Sequence, residues 1–144
     1  MDTVIRPATA DDLPAIQFLL RQLGYDLTAA ETQRRFLVVA SAPGHCLLVA
    51  ACDGRAAGLL HAYARPALDK PPEAIVQALV VDADARSSGI GAMLMAAAEA
   101  WAREQGFASV ALASGIHRND AHAFYEAIGY ARFATSQLFR KMLA

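Results

Sequence analysis

Apolar and polar positions along the chain change period several times, and each change marks an element. Residues 4–6 read as a short strand closed by Pro7. Thr9 then resembles a helix N-cap with acidic residues behind it, and Leu13, Ile16, Leu20 and Leu23 recur at helical spacing until Gly24. Thr28 and Glu31 have capping-box form and predict a second helix running through Phe36 towards Ala40, broken by Pro43-Gly44. Two apolar runs, 46–52 and 57–64, flank Asp53-Gly54, a hairpin signal. Residues 73–81 form a further strand, nearly continuous in apolar side chains near its end, as in a strand covered on both faces. A polar turn over 82–91 opens into a helix over 91–105 that buries Leu94, Ala97, Ala98 and Trp101 and stops at Gly106. A strand over 108–114 follows, then a helix capped by Asn119 or Asp120 and ended before Gly129. One or two strands are expected within 130–142. The order β-α-α-β-β-β-α-β-α-β predicts one domain over 1–144, an α/β fold on a mixed sheet.

Composition narrows the function. The 144 residues suffice for one core. Apolar residues make up 56% and charged residues 19%, a globular balance, and the net charge of −1 argues against a nucleic-acid partner. No run approaches the roughly 18 apolar residues of a membrane span, and the N-terminus lacks a secretory pattern. Cys46 and Cys52 lie on one extended stretch, too far apart for a disulfide, and the four histidines show no zinc-ligand spacing. A cytoplasmic protein without a metal is expected.

The most informative segment is Leu79-Val80-Val81-Asp82-Ala83-Asp84-Ala85-Arg86-Ser87-Ser88-Gly89-Ile90-Gly91-Ala92. A buried strand enters a glycine-containing turn that opens directly into a helix. Amides at such a helix start have no partner in the helix, and its dipole adds positive charge, so the turn suits a pyrophosphate. A tight connection that merely needs glycine is the plainer reading. The P-loop pattern is missing because Ala92 and Met93 stand where Lys and Ser or Thr belong. The dinucleotide fingerprint is missing because Leu94 replaces its last small residue.

Arg86-Ser87-Ser88-Gly89-Ile90-Gly91-Ala92 resembles the Arg-x-x-Gly-x-Gly/Ala turn of the GCN5-related N-acetyltransferases (GNAT). Downstream, Ala121-His122-Ala123-Phe124-Tyr125-Glu126-Ala127-Ile128-Gly129-Tyr130 is similar to the family's A-x-x-F-Y-E-x-x-G-F/Y helix. The opening Ile5-Arg6-Pro7-Ala8-Thr9 and the closing Phe139-Arg140-Lys141 extend the likeness over nearly the whole chain.

The resemblance implies a mostly antiparallel sheet flanked by helices, in which the fourth strand splays from the fifth after a β-bulge. Acetyl-CoA is the implied cosubstrate. Its pantetheine arm would lie along Leu79, Val80 and Val81, and its pyrophosphate on the amides from Arg86 to Ala92. Asn119 stands one residue late for the family's pantetheine contact, with Arg118 in its place. The resemblance puts Tyr125 beside the thioester sulfur, as the acid that protonates the leaving thiolate after direct attack by a primary amine. The base in such enzymes is often a fourth-strand carboxylate. Here Glu73 is the candidate, on one strand face with Gln77 by alternation. His61 and Tyr63 share a face of the preceding strand and are candidates on the acceptor side, while His122 reads as a surface or capping residue. A small-molecule amine is the expected acceptor, walled by the first two helices and residues 131–137, and a homodimer is compatible with this reading. The alternatives are a non-catalytic acyl-CoA-binding module and an enzyme acting on protein N-termini or lysines.

Overall fold

The computed structural model describes residues 2–144. The chain divides into two compact units, Met1–Ala113 and Ser114–Ala144.

The first unit holds a five-stranded sheet in the order β1-β2-β3-β4-β5. Its strands are β1 (Thr3–Pro7), β2 (His45–Cys52), β3 (Arg55–Arg65), β4 (Glu73–Val81) and β5 (Val110–Leu112). The first four are antiparallel to their neighbours, and β5 runs parallel to β4. The unit's α-helices are α1 (Leu13–Gln22), α2 (Ala29–Ser41) and α3 (Ile90–Glu104). At Asp53 and Gly54 φ is 51° and 82°, both left-handed as the tight hairpin requires. Thr28 Oγ1 accepts from the Glu31 amide and caps α2. Before α1, Asp12 receives the Thr9 amide and two hydrogen bonds from the Arg6 guanidinium, joining strand end to helix start.

The two sheet faces bury different helices. Ile16 and Leu19 of α1 and Phe36 of α2 pack with Val49, Leu59 and Val80. Gly58 points to the opposite face, where a Cβ would lie 2.9 Å from both Ile90 and Leu94. Glycine there lets the start of α3 close onto β3 beside the end of β4, since Gly58 is paired with Val81. Leu19, Leu60 and Leu94 are fully buried. Each contributes about 1.5–3 kcal/mol through removal of its side chain from water.

Several expectations need correction. The fifth strand covers Val110–Leu112 and not 108–114. No strand forms within 130–142, because no backbone ladder partners those residues. In the second unit α4 spans Asn119–Ala127, with Arg118 at the N-cap and no side-chain capping bond. Asn119 and Asp120 thus lie inside the first turn. The register skips Gln77, since Ala62 pairs with Val76 and His61 with Ala78. Gln77 is the extra residue of a β-bulge.

Candidate active site

The bulge sits where β4 loses its outer neighbour. β5 pairs with Ala74, Ile75 and Val76 only, so β4 from Gln77 to Val81 presents a free edge on that side. Its main-chain donors and acceptors are available to an extended ligand, much as a sheet edge accepts a strand.

This edge leads into the phosphate-type turn. A 3-10 turn (Ala83–Ala85) follows Asp82, and α3 begins at Ile90. Ser87 and Gly89 are left-handed, with φ of 67° and 85°, which turns the chain sharply enough to start the helix at once. A Cβ on Gly89 would meet nothing within 4 Å, so the space above the turn is open. Met93 donates to the Gly89 carbonyl, the first bond of the helix. The amides of Ile90, Gly91 and Ala92 therefore have no acceptor within the helix, and no side chain caps them. The Arg86 guanidinium bends back to the Val81 carbonyl, and Ser88 Oγ donates to the Ala85 carbonyl. The open space, the free edge and the helix-start amides fit a pantetheine arm and its pyrophosphate.

A network that the sequence reading missed holds this turn. Asp82, only 4% exposed, receives Gln22 Nε2 at 3.2 Å, the Asp84 amide at 3.2 Å and Arg55 Nη2 at 3.1 Å. Gln22 Oε1 accepts the Ala83 amide at 2.8 Å, so the last residue of α1 clasps the turn twice. The Gln22 hydrogen bond, then the Asp84 amide and the charges of Arg55 and Arg86, hold Asp82 below the ordinary carboxylate range against the opposing effect of burial. An acid ending a buried strand was the visible signal; its partners, far apart in sequence, were not.

Glu73 lies at the start of β4 with both oxygens engaged. Arg65 reaches one at 3.2 Å, and Ser109 Oγ donates to the other at 2.9 Å. The carboxylate joins the end of β3 to the start of β4 and to the residue ahead of β5. His61 and Tyr63 lie on the face covered by α1 and α2, as their ladder partners show: Leu47 opposite His61, His45 opposite Tyr63.

In the second unit, Tyr125 is half-buried on α4, its ring edge-on to Phe124 and to Tyr130 at 5.2 and 6.1 Å. Burial pushes its phenol above the usual value, with Arg118 acting the other way, so the hydroxyl keeps its proton at neutral pH. His122 stands one turn earlier. Its Nδ1 and the Ser114 hydroxyl are buried with no hydrogen-bond partner among the described residues. Such atoms ordinarily meet a ligand or water.

Among the described residues, no cluster of three or more His, Cys, Asp or Glu could hold a metal. None of the helices is long and apolar enough to cross a membrane. Cys46 and Cys52 are both buried and form no disulfide, and burial pushes the Cys46 thiol up to about 11.

The Acetyltransferase (GNAT) family model matches residues 13–130. An uncharacterized N-acetyltransferase, YhdJ, of Bacillus subtilis (strain 168) is 40% identical over 84 residues, 58% of this chain and 58% of that protein. An aminoglycoside N(6′)-acetyltransferase type 1 of Stenotrophomonas maltophilia is 30% identical over 110 residues, 73% of this chain and 71% of that protein. The fold is shared with the solved AAC(6′)-Iy in complex with a bisubstrate analogue, CoA-S-monomethyl-acetylneamine. That likeness has a TM-score of 0.89 at 20% identity and covers 99% of this chain and 100% of that one. From its matched motifs, helices and sheet, the chain belongs to the GNAT family of acetyltransferases.

Proposed function

We propose that this protein is an acetyl-CoA-dependent N-acetyltransferase acting on a small-molecule primary amine. The carrying observation is the free edge of β4 from Gln77 to Val81, which runs directly into the uncapped amides of Ile90, Gly91 and Ala92. Family membership and the Stenotrophomonas relative favour acetyl transfer to amines of the aminoglycoside class.

In this reading the helix-start amides take the pyrophosphate, and Leu79, Val80 and Val81 align the pantetheine arm. Asn119, in the first turn of α4, is the remaining cofactor contact. The thioester then lies near the bulge, where a β4 amide polarises its carbonyl. The amine nitrogen attacks the carbonyl carbon, the C–S bond breaks, and the sulfur takes a proton from Tyr125. Holding amine and thioester together supplies much of the rate. Glu73, the base candidate by sequence, has both oxygens occupied. That favours a tether between strand ends over a free base.

The test is release of free CoA from acetyl-CoA with neamine and other aminoglycosides as acceptors. Amine-dependent CoA release supports the reading. Binding of acetyl-CoA without transfer to any aminoglycoside, simple amine, peptide N-terminus or lysine would leave only a binding module.

A further inference from the structure

On the sheet face under α1 and α2, aliphatic side chains give way below Leu59 to a titratable cluster of His61, Tyr63 and His45. His45 Nδ1 lies 2.9 Å from His61 Nε2, a contact in which one nitrogen must carry a hydrogen and the other accept it. The two rings stack at 5.2 Å, and Tyr63 stacks on His45 at 5.7 Å, so the pair is held in orientation. His61 is half-buried, whereas His45 is exposed and lines an open cavity of about 490 Å³. His61 is therefore the more covered end of the pair, and His45 is the end open to water.

The ladder sets the inner end beside the β4 bulge, where the proposed reading puts the thioester. His61 is paired with Ala78, the residue after the bulge, and the free edge of β4 begins at that bulge. Among the other charged groups, Arg65 is paired with Glu73, Arg21 with Asp26 and Arg35 with Glu31, while Arg6, itself paired with Asp12, and Glu104 line the cavity that His45 faces. Arg34 on α2 is exposed. Burial first, and then the charge of His45, hold the His61 imidazole below its usual value, so it stands neutral and able to accept a proton.

We infer that His61 and His45 form a proton relay for the acceptor amine, an inference that rests on the acetyltransferase reading above. The bound ammonium gives one proton to His61 Nδ1. The hydrogen on His61 Nε2 passes to His45 Nδ1, and His45 Nε2 releases one to water. The amine lone pair is then free to attack. The second amine proton leaves after C–N bond formation and replaces the one that Tyr125 gives to sulfur. Overall one proton reaches solvent and one reaches CoA.

The pH profile of kcat/KM with neamine, for the wild type, His61→Gln and His45→Asn, tests the relay. His61→Gln should lower kcat/KM about 10- to 100-fold near pH 7 and remove the acid limb. His45→Asn should keep most of the rate at high pH and move the limb to higher pH, because loss of the neighbouring charge lets His61 protonate more easily. A purely structural role would move neither limb. An acid limb unchanged in both variants, or one that vanishes only in Glu73→Gln, overturns the inference. If the wild type acetylates no aminoglycoside, the acceptor class fails by itself, and imidazole ¹⁵N NMR with and without acetyl-CoA judges the histidine pair. Coupled titration of the two rings, with His61 moved by acetyl-CoA, supports the relay. Independent titrations indifferent to acetyl-CoA overturn it.

Discussion

Tyr125 is the residue on which the proposed acid step depends. A thiolate leaving into a partly dry cleft carries charge that water solvates poorly, and a phenol kept protonated by its own burial can supply the hydrogen. Thiolate is a fairly good leaving group, so the help should fall near the low end of general-acid effects. Tyr125→Phe should lower turnover about 10- to 100-fold while preserving the ring, its contacts with Phe124 and Tyr130, and acetyl-CoA affinity. Unaltered turnover would make Tyr125 a packing residue. Lost affinity with preserved turnover at saturation would make it a cofactor contact.

Among the elements, the turn ahead of α3 carries the proposed site, and Asp82 anchors that turn. Its partners hold its carboxyl below the value near 3.8 that the unfolded chain would show. The group therefore stabilises the fold above that value, and the stabilisation fades as pH falls through the lower folded one. Melting temperature should drop on acidification below about pH 4. Asp82→Asn should melt lower at pH 7 and fall less steeply in acid. Parallel pH dependences in thermal melts would show that the ionised form contributes nothing.

Most of the elements were legible because they rest on local signals. Thr28 caps α2, Asp53-Gly54 turns the hairpin, and the β4 limits agree with the apolar run. What escaped depended on register. A two-residue turn pairing Cys52 with Arg55 would, carried on regularly, set His45 opposite Ala62 on the α3 face. The shift at Ala50/Ala51 sets it opposite Tyr63, beside His61 on the other face. A second shift leaves Gln77 without a partner in the ladder. Bulges move whole faces by one residue and have no reliable sequence mark.

For the whole molecule, pairing decides which apolar stretches become strands. Phe133, Leu138, Phe139 and Met142 lie in a stretch expected to form strands, yet each is more than four-fifths exposed and belongs to no ladder. The geometry around the end of β4 in the first unit, by contrast, is overdetermined. Gly58 admits α3 closely, β5 stops after Leu112, and the Gln22 clasp fixes the turn between α1 and α3. These features converge on one claim, that an extended molecule with a pyrophosphate lies along β4 and on the start of α3. Thermal melting with acetyl-CoA, ATP or NAD, on the wild type and on Gly91→Val, tests it most directly. Acetyl-CoA should raise the melting temperature of the wild type well beyond ATP or NAD, because a ligand of the native state stabilises it by mass action. Gly91→Val, which crowds the helix-start amides, should fold but lose that shift. An undiminished acetyl-CoA shift in Gly91→Val, or a larger response to ATP or NAD in the wild type, would contradict the assignment.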